Sequence, residues 1–175
     1  MKKLLLTAAL AAAVIAPTAA SAADPAPADF KNAAKYCKEF RTASGANFAT
    51  MFGTKKNAYG KCVSQTAKKT ATEDAAQEKA AKSNAAKECK AEGLKGREYG
   101  KCVSTKAKAK KAAADAEDAA QQSDRISAAK SCKTAKKGDA KKFGEDFGTK
   151  KNAFGKCVST TARKLAAERK AAATS

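Results

Sequence analysis

FGTKKNAYGKCVS at Phe52–Ser64 and FGTKKNAFGKCVS at Phe147–Ser159 differ at a single position, Tyr59 against Phe154. The end of the same phrase returns as YGKCVS at Tyr99–Ser104. Upstream of each copy stands a second cysteine in a second shared phrase: NAAKYC at Asn32–Cys37, NAAKEC at Asn84–Cys89 and SAAKSC at Ser127–Cys132. The chain therefore holds three cysteine-pair repeats, placed at 32–69, 84–111 and 127–170. The middle repeat is shorter, with its cysteines 13 positions apart where those of the outer two are 25 apart. Connectors fall at 70–83 and 112–126, with a short linker at 23–31 and a tail at 171–175.

Residues 1–22 read as an export signal. Lys2 and Lys3 precede an apolar run from Leu4 to Ala16, and Ala20-Ser21-Ala22 forms a small-residue cleavage site. That run is too short to span a bilayer. The expected location is outside the cytoplasm of a bacterium: secreted, periplasmic or attached to the envelope.

In such a compartment, six cysteines and no histidine point to disulfides rather than a metal site. Six cysteines allow 15 connectivities. The repetition selects one of them: Cys37–Cys62, Cys89–Cys102 and Cys132–Cys157.

Apolar residues around each first cysteine follow helical spacing, with Phe30, Ala33, Ala34, Cys37 and Phe40 on one face. Around each second cysteine the same holds for Tyr59, Cys62, Val63, Thr66 and Ala67, with copies at Tyr99, Cys102, Val103 and at Phe154, Cys157, Val158. Each repeat is then a helical hairpin closed by its own bridge. In the outer repeats, Phe48 and Phe52 before Gly53, and Phe143 and Phe147 before Gly148, predict a short helix stopped by glycine. The first disulfide is expected to sit among Phe48, Met51, Phe52 and Tyr59.

The connectors TATEDAAQEKAAKS and KAAADAEDAAQQSD contain neither glycine nor proline and are rich in helix-forming residues. They fuse neighbouring repeats into long helices, predicted at about 57–92 and 97–134. The fold class is all-α: an elongated antiparallel bundle of three disulfide-stapled hairpin repeats with long shared helices. Large apolar residues are scarce, so the staples matter. Gly60, Gly100 and Gly155, each two residues before the second cysteine, predict a close helix–helix approach. Asn57 and Asn152 are placed as N-caps.

The full chain carries 36 basic and 17 acidic residues. Loss of the signal removes two lysines, leaving a net charge of +17. Such a balance suits polyanionic partners: an acidic envelope polymer, anionic lipid or nucleic acid bound nonspecifically. The repeated GTKKN sets Lys55 and Lys56, and again Lys150 and Lys151, beside a helix start, where backbone N–H groups favour a phosphate or carboxylate. Without histidine there is no Ser-His-Asp or Cys-His arrangement. No phosphate-binding or dinucleotide fingerprint occurs, so the chain is read as non-enzymatic and cofactor-free. The basic runs TAKKTAT and KAKAKKAAA invite comparison with nucleic-acid-binding tails, but the phenylalanines look committed to cores rather than to base stacking.

The NAFGKCVS element, with its upstream cysteine and the aromatic-GT segment before it, resembles repeats in uncharacterised exported bacterial proteins. Here it covers Phe147–Ser159 and Phe52–Ser64. The resemblance implies an exported, paired-cysteine module and no particular activity. A weaker likeness is to stapled helical hairpins that inhibit proteases, which usually carry two bridges per hairpin where this chain has one. The alternatives to a polyanion-binding protein are therefore an inhibitor-like hairpin and a purely structural spacer.

Overall fold

A computed structural model describes residues 25–53 and 57–174, all of whose regular structure is helical. Six helices follow one another: α1 (Pro27–Ser44), α2 (Asn47–Phe52), α3 (Ala58–Ala91), α4 (Gly96–Gly138), α5 (Ala140–Phe147) and α6 (Ala153–Ala172). The export signal at 1–22 lies outside the described residues.

The glycine-free connectors do run straight through. α3 and α4 have 34 and 43 residues, about 51 and 65 Å of helix at 1.5 Å per residue. They form an antiparallel hairpin whose turn is a Schellman closure. Gly93 N–H bonds the Lys90 carbonyl at 3.0 Å and Leu94 N–H the Cys89 carbonyl at 3.4 Å. Gly93 sits at φ +74°, where a side chain would be strained. α1 folds back along α3, and α6 along α4, at the end far from this turn. We call the turn the tip and the far end the head.

All three bridges form in the order that the repetition selects: Cys37–Cys62, Cys89–Cys102 and Cys132–Cys157, with Cα separations of 6.0, 6.1 and 6.0 Å. The two short helices also appear, ended by Gly53 at φ +107° and Gly148 at φ +89°.

The outer repeats do not keep separate cores. α1 packs on the last turns of α4 as well as on α3, and α2 touches α6. Tyr36, Phe40, Phe48, Phe143, Phe154 and Val158 join both head disulfides in one cluster. The Phe48 and Phe52 rings lie 4.9 Å apart and both flank Phe40 at 6.3 Å, while Phe143 and Phe147 stack at 5.1 Å. Phe40 is only 1 % exposed, so its truncation to alanine should cost about 3–5 kcal/mol. A half-core made of one repeat is too small to hide these rings; pairing two halves hides both.

The one substitution between the twin phrases has a structural counterpart. The Tyr59 hydroxyl donates to the Ala34 carbonyl at 3.0 Å. Phe154, which has no hydroxyl, is buried at 2 % exposure.

Between head and tip the seam is thin. Ala67, Ala71, Ala81, Ala85 and Cys89 are buried on α3, whereas α4 buries nothing before Ala128. Polar contacts cross instead. Gln77 donates to Asp118 at 2.7 Å. Lys110 pairs with Glu88 at 2.8 Å, Lys106 with Glu88 and Glu92, and Lys111 with Asp74 at 3.5 Å. The stems of these lysines cross the interface and help cover the alanines beneath.

Two expectations need correction. No helix approaches closely at the recurrent glycines. A side chain at Gly100 would meet nothing within 4 Å, one at Gly155 only Met51 at 4.0 Å, and one at Gly60 the neighbouring Asn57 Oδ1 at 2.6 Å. Asn57 and Asn152 do occupy the N-cap positions of α3 and α6, but neither side chain makes a capping bond. Their φ/ψ of −96°/5° and −89°/−2° lie away from the extended backbone that usual N-caps adopt.

Candidate functional site

Lys150 and Lys151 lie in the loop between α5 and α6, exposed, directly before the first turn of α6. The Ala153 N–H is bonded to the Lys150 carbonyl at 2.9 Å, and no side chain caps the first turn that follows. Their counterparts Lys55 and Lys56 lie outside the described residues. Behind the loop, Met51, Phe147, Gly155, Lys156, Ser159 and Arg163 line an open groove of about 780 Å³. Two more cations, Lys156 in the first turns of α6 and Arg163 at its middle, line this groove together with one acid, Asp146.

A second group of cations comes from a stretch the repeat reading passed over, KTAKKGDAKK at 133–142. It ends α4 and begins α5, so its lysines fan out over the head. Lys136 bonds the Asn47 side chain at 2.7 Å, and Lys133 reaches the α1 C-terminus, where a side chain on Gly45 would meet it at 3.2 Å. A lysine suits the negative end of a helix dipole. The run itself was visible; its place beside α1 and α2 was not, because that contact joins residues 89 apart in sequence.

The head is therefore strongly cationic. Its described segments, 35–53, 57–71 and 127–164, hold 17 basic and four acidic residues. The waist next to it is the reverse. Segments 25–34, 72–83, 112–126 and 165–174 hold six basic and nine acidic residues.

Waist acids are largely engaged inside the fold. Arg169 clamps α6 to α4 through two bonds to Glu117 at 2.7 and 3.1 Å and two to Asp124, both at 3.4 Å. Lys170 adds a contact to Glu117 at 3.5 Å. The Arg169 hydrogen bonds, followed by one from Gln121, hold the Glu117 carboxyl down to about 2. The basic run 106–114 behaves likewise: Lys106, Lys110 and Lys111 are tied to acids of α3 and do not form a free tail.

At the head core, burial raises the Tyr36 phenol above its ordinary value, against an opposing pull from Arg125. Tyr36 stacks on Phe40 at 5.5 Å and borders an open groove between α1 and α4. Of the seven phenylalanines, only Phe30 is exposed, at 43 %. Among the described residues, no cluster of cysteine, histidine or carboxylates is arranged to hold a metal. No described helix is long and apolar enough to cross a membrane. Comparison with protein-family models, curated proteins and solved structures finds no match.

Proposed function

We propose that this is an exported, non-enzymatic protein that binds polyanionic partners through its head. The observation that carries the reading is the segregation of charge. Seventeen cations against four acids cover one end, while the neighbouring waist holds most of the acids. Of these, Asp74, Glu117 and Asp124 are committed to Lys111, Arg169 and Lys170, and two, Glu73 and Glu168, pair with the head cations Lys69 and Lys164. Like charge gathered in one place costs folding energy through self-repulsion. An anionic partner relieves that cost by releasing counterions.

Retention on immobilised poly-L-glutamate at two salt concentrations tests this. Binding should be strong at low salt and fall steeply as salt rises. Neutralising Lys55, Lys56, Lys150 and Lys151 to glutamine together should weaken it. Unchanged retention would remove those four residues from the site and leave the remaining head cations to carry binding. A wild-type protein that is not retained even at low salt would return the structure to a mechanical spacer.

A further inference from the structure

Charge on this molecule has a second maximum. The tip segment 84–111 holds nine basic and three acidic residues. Three of its lysines, Lys106, Lys110 and Lys111, are used in closing the hairpin. The other six basic residues, Lys87, Lys90, Lys95, Arg97, Lys101 and Lys108, are exposed and form none of the ion pairs found among the described residues. The rod thus runs from a cationic head, through a waist with nine acids against six bases, to a cationic tip.

We propose that the tip is a second polyanion site and that one protein molecule holds two separate linear anionic polymer chains, one at each end. The inference rests on the polyanion reading of the head. Along α3, Cys62 and Cys89 are 27 residues apart, about 40 Å. The Debye length at physiological salt is about 8 Å, so the ends act as independent charges. The acidic waist repels a polymer that would lie along the rod and satisfy both ends at once. The tip is held at this distance by its own disulfide and by the cross-seam pairs, not by a flexible tether. A linear polymer fits better than a membrane. A flat anionic surface would meet one end alone or press against the waist, and the one exposed large apolar residue among the described residues, Phe30, sits near the start of α1 in the waist segment, not at either end.

A sandwich measurement tests the idea. Pentamers of poly-L-glutamate, at most about 18 Å when fully extended, are too short to reach from the last head cation of α3, Lys69, to the first tip cation, Lys87, 18 residues or about 27 Å further on. Sparse immobilised pentamers retain the full mature protein, which is then offered fluorescent pentamers. Wild type should capture the second chain. A variant with the six free tip cations changed to glutamine should stay on the surface, by its head, and lose capture to the level seen without protein. Capture by that variant equal to wild type would place both chains on the head and overturn the proposal. So would retention of wild type without any capture, which would leave the head reading standing. Failure of wild type to be retained at low salt would remove the head reading and this proposal together.

Discussion

Replacing Cys89 and Cys102 together with alanine removes the one covalent tie at the tip, and the structure sets the expected cost. The bridge spans 13 residues; loop-closure entropy assigns such a bridge about 3 kcal/mol, against about 3.5 kcal/mol for the head bridges that span 25 residues. Little else compensates at the tip. α4 has no buried residue between Gly96 and Ser127, and on α3 only small side chains are buried there. The surrounding ion pairs are partly exposed, each worth at most about 1 kcal/mol. The loss should therefore be local as well as global. Urea unfolding should show a fall of about 3 kcal/mol. Native-state hydrogen exchange should show amides of 84–111 opening far more readily while those around Phe40, Cys62 and Val158 keep most of their protection. A global loss below about 1 kcal/mol, or protection lost first in the head, would refute the view that the staple substitutes for a missing core.

Tyr59→Phe removes the bond to the Ala34 carbonyl and should cost about 1 kcal/mol in chemical denaturation; Phe154, at the equivalent place, shows that the ring alone is accommodated. Gly100→Ala should raise stability by about 0.5–1 kcal/mol, since the site is helical and open. Gly60→Ala should gain less, because its new methyl would displace Asn57; equal gains at both would argue against this reading of the loop. Glu117 is depressed from 4.5 to about 2 in the fold. Its contribution to stability is complete above the unfolded value of 4.5 and is lost as pH falls through about 2. A thermal melting series over that window should fall for wild type and fall less steeply for Glu117→Gln, since Glu78 and Glu88 are also held below the ordinary value by lysines.

The disulfide pairing and the long helices could be read from the chain because both follow from local repetition. Three copies of one phrase leave one economical pairing, and connectors without glycine or proline leave no place for a helix to stop. The observed bounds, Ala58–Ala91 and Gly96–Gly138, lie close to those read from composition, apart from the extra turn that carries α4 past Thr134. What the chain does not reveal is which apolar face meets which. The faces of Phe40 and Phe154 look alike in sequence, so nothing shows that the first and third repeats share one interior. The recurrent glycines mislead for a related reason, since a residue that is small at a buried bridge and one that is small in open space leave the same mark. The candidate site divides in the same way. Lys150 and Lys151 are visible as a motif, whereas the head field becomes visible only when 35–53, 57–71 and 127–164 are brought to one end.

That shared interior also orders assembly in time. Lys136 and Asn47 meet across 89 residues of sequence, and the same is true in kind of every contact between α1 and the end of α4. The tip needs only its 13-residue separation and can close without the segments that follow it. The head must wait for nearly the whole polypeptide, so its aromatic side chains remain uncovered longest. Late pairing of distant segments is slow in helical proteins as in others. During that interval, two partly folded copies each present the half that the other lacks, which makes exchange of the first repeat between molecules the misassembly to watch for at high concentration.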